Sequence, residues 1–138
     1  LSLFGFKNGN DLDLDVKAIV TTLRDAQQRS VHQDELMRWG VRFTNTTSGA
    51  DYIELIKSTD PVGGFGLSVT TVVSKKELHG SVRFTDPTSG GVKDITFERI
   101  SGLPHEAIAQ SSVVIASADT TAGQKIISVN QHGITQVQ

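Results

Sequence analysis

The sequence predicts an α+β fold in which one N-terminal amphipathic helix packs on antiparallel β-sheet. Apolar residues recur at helical spacing between about residues 11 and 33. From Trp39 onward they alternate with polar residues, and turn-forming residues interrupt that alternation about every ten positions. The 138 residues suit a single domain. We therefore expect one unit over 1–138, with a helix at about 11–33 and a β-rich head at about 38–138.

Composition excludes several classes of protein. Hydrophobic residues make up 37% and charged residues 20% of the chain, which indicates a folded globular protein. The formal net charge of −2 creates no field that would draw the chain to nucleic acid or an anionic membrane. The absence of cysteine excludes disulfides and cysteine-ligated metals. No run of about 18 apolar residues is present that could span a bilayer.

The predicted helix has one apolar face. Its members follow the spacing of a single helical stripe: Leu12, Val16, Ile19, Val20 and Leu23. Asn10 is the expected N-cap, and the three aspartates at positions 11, 13 and 15 would complement the positive end of the helix. A calcium loop would instead need Gly and Glu where the sequence has Val16 and Thr22. We therefore interpret these aspartates as helix-end charges.

Eight segments of the head have the character of strands. The first places Trp39, Val41 and Phe43 on one face and Gly40 and Arg42 on the other. The remaining segments are Tyr52–Ile56, Leu67–Val73, Leu78–Phe84, Val92–Ile100, Val113–Ile115, Ile126–Val129 and Ile134–Val137. Short strands separated by turns favour antiparallel pairing over βαβ units. We expect Trp39, Val41 and Phe43 to pack against the apolar stripe of the helix.

Few residues suggest chemistry. The four histidines, at positions 32, 79, 105 and 132, do not have the spacing of metal ligands. There is no Gly-x-Ser-x-Gly motif, although a Ser/His/Asp set assembled by the fold would still allow a small hydrolase. Lys75-Lys76 is the only pair of adjacent basic residues and is expected in a solvated loop. We expect no enzymatic activity, no cofactor, no metal and no small-molecule substrate.

Several segments, taken in order, resemble one family. They are Leu23-Arg-Asp-Ala-Gln-Gln-Arg-Ser30, Trp39-Gly-Val-Arg-Phe43 with Tyr52, Ile95-Thr-Phe97 with Ser101-Gly-Leu-Pro104, and Lys125-Ile-Ile-Ser-Val-Asn130 with Gly133-Ile134. Together they are similar to the head domains of type IV pilin-like proteins, including the pseudopilins of type II secretion. The similarity extends from about residue 12 to the C-terminus.

The resemblance implies a structural subunit, major or minor, of a type IV pilus-like or type II secretion-like filament. Its partners would be other pilin or pseudopilin subunits, and its place the bacterial cell surface, in filaments serving adhesion, motility or protein transport. The family's prepilin cleavage site and transmembrane half-helix, absent from this chain, would lie before Leu1 and anchor a precursor in the cytoplasmic membrane. Loops 57–66, 86–91 and 101–111 would form contact surfaces.

Two further functions remain open. One is a free-standing β-rich adhesin or ligand-binding module. The other is a minor pilin that binds DNA through its final hairpin, but His132–Gln138 contains no Arg or Lys. Nucleic acid is therefore a doubtful partner.

Overall fold

The chain forms one long helix followed by a β-rich head in the computed structural model. The structure describes residues 3–59, 69–106, 111–117 and 123–138, with residues 3–10 described by their backbone alone. Helix α1 (Leu3–Val31) is followed by a 3₁₀ turn (Asp34–Leu36). The described strands are β1 (Arg38–Thr44), β2 (Tyr52–Ser58), β3 (Thr70–Glu77), β4 (Val82–Asp86), β5 (Val92–Thr96), β6 (Ser112–Ser117), β7 (Gln124–Val129) and β8 (Thr135–Val137).

The helix begins about two turns earlier than the sequence analysis predicted. Residues Leu3 to Asn10 are helical, so the predicted start at residue 11 and the N-cap at Asn10 are wrong. Gly5 and Gly9 disfavour helix by about 1 kcal/mol each. Extending a helix that already exists requires no new nucleus, however, so two weak positions need not end it. Consequently the first turn holds no acidic residue, and the aspartates lie well inside the helix.

The described strands form two antiparallel sheets, which confirms the predicted fold class. Sheet 1 has the order β3-β2-β1-β5, with Val41 of the central strand β1 opposite Leu55 and Ile95. Sheet 2 has the order β4-β6-β7-β8, and its strands β6, β7 and β8 are consecutive in the chain. Sequential antiparallel neighbours of this kind need only short connections.

Three strands differ most from their predicted bounds. Strand β3 continues through Lys75 and Lys76, so the prediction that this pair lies in a loop is wrong, although both residues are exposed. The predicted first residues of this strand, 67 and 68, lie outside the described residues. Strand β4 begins only at Val82, because the chain turns there and the Val82 amide donates to the carbonyl of His79. Strand β5 ends at Thr96.

The core lies where α1 meets both sheets. Helix residues Leu12, Ile19 and Leu23 are buried with Trp39 of sheet 1 and Ile115 of sheet 2 in one apolar cluster. The rings of Phe43 and Phe84, one from each sheet, pack edge to face with centroids 5.7 Å apart. The helix therefore serves both sheets as a common support.

Candidate functional site: the helix and the surface at its end

The residues predicted to join the helix to the head lie close together. Seven of the eight, namely Leu12, Val16, Ile19, Leu23, Trp39, Val41 and Phe43, belong to the buried apolar cluster. The eighth, Val20, is partly buried and packs against it. Burying one such side chain contributes about 2 kcal/mol to stability. The stripe thus supplies most of the attraction between helix and head.

A charged cluster fastens the first part of α1 to the turn between β3 and β4. The buried carboxylate of Asp15 accepts a hydrogen bond from the His79 backbone amide at 2.9 Å and lies 2.8 Å from His79 Nδ1. The Ser81 hydroxyl donates to Asp11 at 3.3 Å, and Asp11 lies 3.7 Å from His79 Nε2. We call these four residues the acidic anchor.

The acidic anchor corrects the role assigned to the aspartates. Asp11 and Asp15 bind a turn of the head, while Asp13 is exposed. A signal was present in the sequence: Asp15 follows Leu12 by three positions and precedes Ile19 by four, which places it on the buried face of the helix. A buried carboxylate needs hydrogen-bond donors, so a partner in the head could have been expected.

Neutral groups fasten the last turns of α1. The Gln27 side-chain amide donates to the carbonyls of Gly102, at 2.8 Å, and Gly133, at 2.7 Å. The buried Ser30 hydroxyl accepts from the Trp39 amide at 2.8 Å and lies 3.2 Å from the Trp39 carbonyl, to which it donates. These contacts, which we call the neutral anchor, join the helix to β1, to the loop after β5 and to the β7–β8 turn.

Glycine is required at two points of the neutral anchor. A Cβ on Gly102 would lie 2.6 Å from Val31 Cγ2, and one on Gly133 would lie 2.8 Å from Gln27 Nε2. Both glycines also have positive φ angles, 68° and 80°. Any larger residue would therefore clash with the helix and strain the backbone. The Gly-x-Pro and final-hairpin segments noted in the sequence owe their glycines to this contact.

Trp39 is held from several directions. Its indole Nε1 donates to the Asp34 carbonyl at 3.0 Å. The Arg29 guanidinium lies 4.8 Å and the Lys57 ammonium 5.6 Å from the ring centroid. Cations at these distances are attracted to an indole ring. Trp39 is therefore a structural residue that links helix, turn and sheet.

An ion-paired cluster lies beside the neutral anchor. Glu98 accepts hydrogen bonds from the buried Arg38 and from His105. Burial alone would raise the pKa of Glu98, but the His105 hydrogen bond and the Arg38 charge outweigh it, so the pKa is lowered. Burial raises the pKa of Glu106, although Thr96 donates to its carboxylate from backbone and hydroxyl. The two acids of this loop are thus shifted in opposite directions.

Exposed apolar side chains gather where α1 ends. They are Val31 (37% exposed), Leu36 (75%), Ile100 (69%), Leu103 (40%) and Ile134 (57%), and we call this set the apolar cap. They are half of the ten large apolar residues exposed in the described part of the chain. Clustered exposure of this kind marks surfaces that contact other molecules. No pattern in the sequence predicted the cap.

The other predicted sites are dispersed. Of the histidines, 79 and 105 pair with acids while 32 and 132 are exposed. No group of three metal-ligating side chains occurs among the described residues. The three predicted contact loops, 57–66, 86–91 and 101–111, are described in part, and the first begins later than predicted because Lys57 and Ser58 belong to β2. Their exposed described residues are Thr59, Thr88, Ser89, Gly90, Ser101, Leu103 and His105, and their buried ones are Ser58, Pro87, Gly102 and Ser111. Residues 60–66 and 107–110 lie outside the described residues.

Comparison with known proteins shows the fold. No protein-family model matches the chain, and no curated protein matches it in sequence. Its structure is similar to the crystal structure of the type IV minor pilin FimU of Pseudomonas aeruginosa, with a TM-score of 0.58. The superposition covers 96% of this chain and 92% of that chain, at 15% sequence identity. The chain has a type IV pilin-like fold.

The pilin-like fold confirms the resemblance seen in the sequence. In this chain the long helix of the fold is α1, and the head is formed by the two sheets. The apolar cap lies at the C-terminal end of α1. Within the described residues, no helix is both long and apolar enough to cross a membrane.

Proposed function

We propose that the chain is a structural subunit of a type IV pilus-like or type II secretion-like filament. The observation that carries the proposal is the pilin-like fold, which extends over 96% of the chain. The helix agrees with it: one face is fixed to the head, while the other face is exposed and mostly polar, with Lys17, Arg24 and Gln28 beside the apolar Leu14. The partners would be other pilin or pseudopilin subunits.

The proposal includes a membrane-bound precursor and a surface location. A segment encoded before Leu1 would anchor the precursor in the cytoplasmic membrane, be processed, and continue α1 into the filament. Once assembled, the filament would serve adhesion, motility or protein transport at the bacterial surface. The gene sequence upstream of Leu1 gives the cheapest test. A prepilin cleavage motif followed by an apolar helix is expected, and a start codon or secretory signal there would refute the proposal.

A non-catalytic role agrees with the geometry of the best Ser/His/Asp set. In a hydrolase triad the histidine Nε2 faces the serine hydroxyl. In the acidic anchor the partner near His79 Nε2 is Asp11, at 3.7 Å, and the Ser81 hydroxyl donates to that same carboxylate. The hydroxyl is thus not positioned for activation. Turnover of generic ester substrates that is lost in Ser81→Ala would contradict this argument.

The alternative functions have less support. Carbohydrate-binding modules present exposed aromatic rings, yet Trp39 is 1% exposed and Tyr52 is covered by Lys75, whose ammonium lies 4.1 Å from its ring. Lys75 and Lys76 lie on β3 opposite Glu54 and Ile53, so Lys75 faces a carboxylate rather than a free basic surface. Among the residues whose side chains the structure describes, neither an aromatic platform nor a basic stripe supports an adhesin or DNA-binding role.

The decisive experiment is fractionation of filaments. Cells that produce the chain are sheared, and the filaments are probed with an antibody to the head and by immunogold electron microscopy. We expect the chain in the filament fraction, and fewer or no filaments when its gene is deleted. If the chain stays in the medium as a monomer while filaments form normally, it is a free-standing module and the proposal is wrong.

A packing variant links this experiment to the fold. Leu23→Asp places a charge in the buried contact between helix and head, whereas Arg24→Asp changes the exposed neighbouring position. The first variant should disappear from the filament fraction and the second should remain. Equal incorporation of both would mean that the helix–head contact is not needed for assembly.

A further inference from the structure

The two described sheets have four edge strands, and three of these edges are short or occupied. An edge strand carries a row of backbone N–H and C=O groups that no neighbouring strand pairs. On β4, the Phe84 amide donates to Asp51 at 2.8 Å, and the Phe84 carbonyl accepts from Asn45 at 3.0 Å. On β5, the Thr96 amide donates to the Glu106 carboxylate at 2.9 Å. Strand β8 has three residues.

Strand β3 is the edge that is both long and open. It has eight residues, more than any other described strand, and it pairs with β2 along one side. None of its residues is buried, and seven of the eight are exposed. Among the described residues, none forms a backbone hydrogen bond to β3 from the side away from β2. This edge can therefore accept a further strand.

The two halves of β3 differ in charge. The first half, residues 70–73, is Thr-Thr-Val-Val, which is uncharged and β-branched throughout. Val72 and Val73 are 46% and 44% exposed. The second half contains Lys75, Lys76 and Glu77. Lysine on an edge strand discourages pairing with a basic segment. The first half thus favours an added strand, and the second half restricts which strand can be added.

Strand β3 contains one extra residue relative to β2. Ser74 pairs with Leu55, and Val72 pairs with the next residue of β2, Ile56, so that Val73 has no partner on that strand. A bulge of this kind interrupts the alternation of side chains between the two faces of a sheet.

Because of the extra residue, side chains an odd number of positions apart share a face of the sheet. The partners of Val72 and Lys75 on β2 are two positions apart, so these two side chains lie on one face. The partners of Thr71 and Lys76 are four positions apart, so these side chains lie together on the other face. In an uninterrupted strand each of these pairs would be split between the two faces.

We propose that β3 pairs antiparallel with the β3 strand of a second copy of this chain, about a two-fold axis between Val73 and Ser74. All eight residues are paired in this register. The pairs, each made twice, are Thr70 with Glu77, Thr71 with Lys76, Val72 with Lys75 and Val73 with Ser74. The four-stranded sheets of the two copies join into one sheet of eight strands.

Two properties of β3 favour its own copy as the partner. The pairs of Val72 with Lys75 and of Thr71 with Lys76 join residues on the same face, as antiparallel pairing requires, and they do so because of the extra residue. The charged half of each copy also lies against the uncharged half of the other, so no like charges are opposite each other. Parallel pairing in register would instead place the lysines of the two copies side by side, which is unfavourable.

This contact goes beyond the proposed filament function. A two-fold contact closes after two copies, so it cannot be the contact that repeats along a filament. It would add a side-by-side contact between two heads. The inference does not rest on the filament function, because the purified chain is sufficient to test it.

Cysteine cross-linking tests the register, because the chain contains no cysteine of its own. A mixture of the single variants Val72→Cys and Lys75→Cys should form disulfide-linked dimers under mild oxidation, since the two positions lie opposite each other. A mixture of Val72→Cys with Lys76→Cys is the matched control, because position 76 lies on the other face. It should give at least roughly tenfold less dimer. Equal yields from the two mixtures would refute the register, and unchanged circular dichroism confirms that each variant is folded.

Charge at position 72 tests the same contact without oxidation. Val72→Glu places a carboxylate opposite Lys75 of the second copy, twice in each dimer, whereas Val72→Lys places like charges there. Opposite charges across a strand pair stabilise it and like charges destabilise it. Relative to the unmodified chain, sedimentation equilibrium should give a dissociation constant roughly tenfold lower for Val72→Glu and roughly tenfold higher for Val72→Lys. Equal constants for the two variants would overturn the proposal.

Val92 provides the matched control for charge. It is 57% exposed and lies on β5, the other edge strand of sheet 1. The same two substitutions at this position should leave the dissociation constant within about twofold of its original value. Changes as large as those at Val72 would mean that net charge, and not the β3 contact, controls association. A chain that stays monomeric at about 1 mM and forms no cross-link would also refute the proposal.

Discussion

Both anchors hold helix α1 against the head, but they use different chemical groups. The acidic anchor uses the buried Asp15 carboxylate against the amide and ring of His79. The neutral anchor uses the side-chain amide of Gln27 and the hydroxyl of Ser30 against backbone groups. Each fixes the helix to segments distant in sequence. They differ in the surface beside them: the first has the exposed Leu14, whereas the second has the five residues of the apolar cap, of which Leu36 and Ile100 have positive φ angles.

The difference shows how one helix can combine rigidity with a surface for contact. A buried carboxylate is costly to move, because its donors must move with it. Neutral bonds to carbonyls cost less to break and leave no charge uncompensated. We therefore expect the acidic anchor to contribute more to stability and the second end of the helix to contribute more to association. The following predictions test this contrast.

The largest effect is expected from Asp15→Ala. The variant removes the buried carboxylate that accepts from the His79 amide and pairs with its ring, so the free energy of unfolding should fall by about 3 kcal/mol. Urea denaturation followed by circular dichroism measures it. Asp13→Ala, two positions away on the exposed face, is the control and should change stability by less than about 0.5 kcal/mol. Equal losses in the two variants would disprove the anchor.

A smaller loss, about 2 kcal/mol, is expected from Ser30→Ala. The change leaves the Trp39 amide and carbonyl without their hydroxyl partner in a buried place. Gln28→Ala, which alters an exposed helix position, should change the free energy of unfolding very little in the same urea denaturation. A loss for Ser30→Ala as large as that for Asp15→Ala would remove the proposed difference between the anchors.

A gain in stability, about 1 kcal/mol, is expected from Leu36→Gly. Leu36 has a φ of 58° and is 75% exposed, so glycine relieves backbone strain and gives up little burial. Thermal unfolding should show a melting temperature higher by about 3 °C. Val72→Gly, in the extended strand β3, should be destabilising instead. A lower melting temperature for Leu36→Gly would show that the cap is not strained.

The smallest effect is expected in the free energy of unfolding at acidic pH. The pKa of Glu98 is lowered from 4.5 in the folded state, so the unfolded state binds more protons below that pH. The stabilisation from Glu98 is therefore complete above pH 4.5 and is lost as the pH falls through the folded pKa. Glu98→Gln should flatten the acid limb of the plot of unfolding free energy against pH. An acid limb of unchanged slope would contradict the assigned shift.

Glu106 provides the contrast within the same loop. Its pKa is raised from 4.5, so the folded state holds the proton more tightly and stability declines as the pH rises from 4.5 through the folded pKa. Glu106→Gln should remove that decline. The two variants should thus change the pH profile in opposite directions, each measured by urea denaturation at a series of pH values. Changes of the same sign would show that one assignment is wrong.

The sequence predicted most of the fold because periodicity records which residues are buried. Each of the eight segments with alternating or β-rich character overlaps one described strand, in order. The start of the helix was missed because the glycines and asparagines near position 9 resemble a turn, although the helix continues through them. Local propensity is a weak guide when neighbouring turns extend a helix.

The anchors and the cap were missed for a different reason. The partners of Asp15 and Gln27 lie 64 and 75 residues away, so only the folded chain brings them together. Positive φ at Leu36 and Ile100 leaves no trace in the sequence, since neither residue is typical of that conformation. The sequence does carry one signal of the acidic anchor, which is the position of Asp15 on the apolar stripe.

Helix α1 has a mechanical consequence. In the described residues, no strand of sheet 1 pairs with a strand of sheet 2, and the helix contacts both. Tension applied along the helix would therefore be divided between two sheets and would act on the apolar stripe in shear, so that many contacts must slip together. Resistance to such pulling depends on the rate of unfolding rather than on equilibrium stability. A polymer of these units would stretch little before its heads begin to detach.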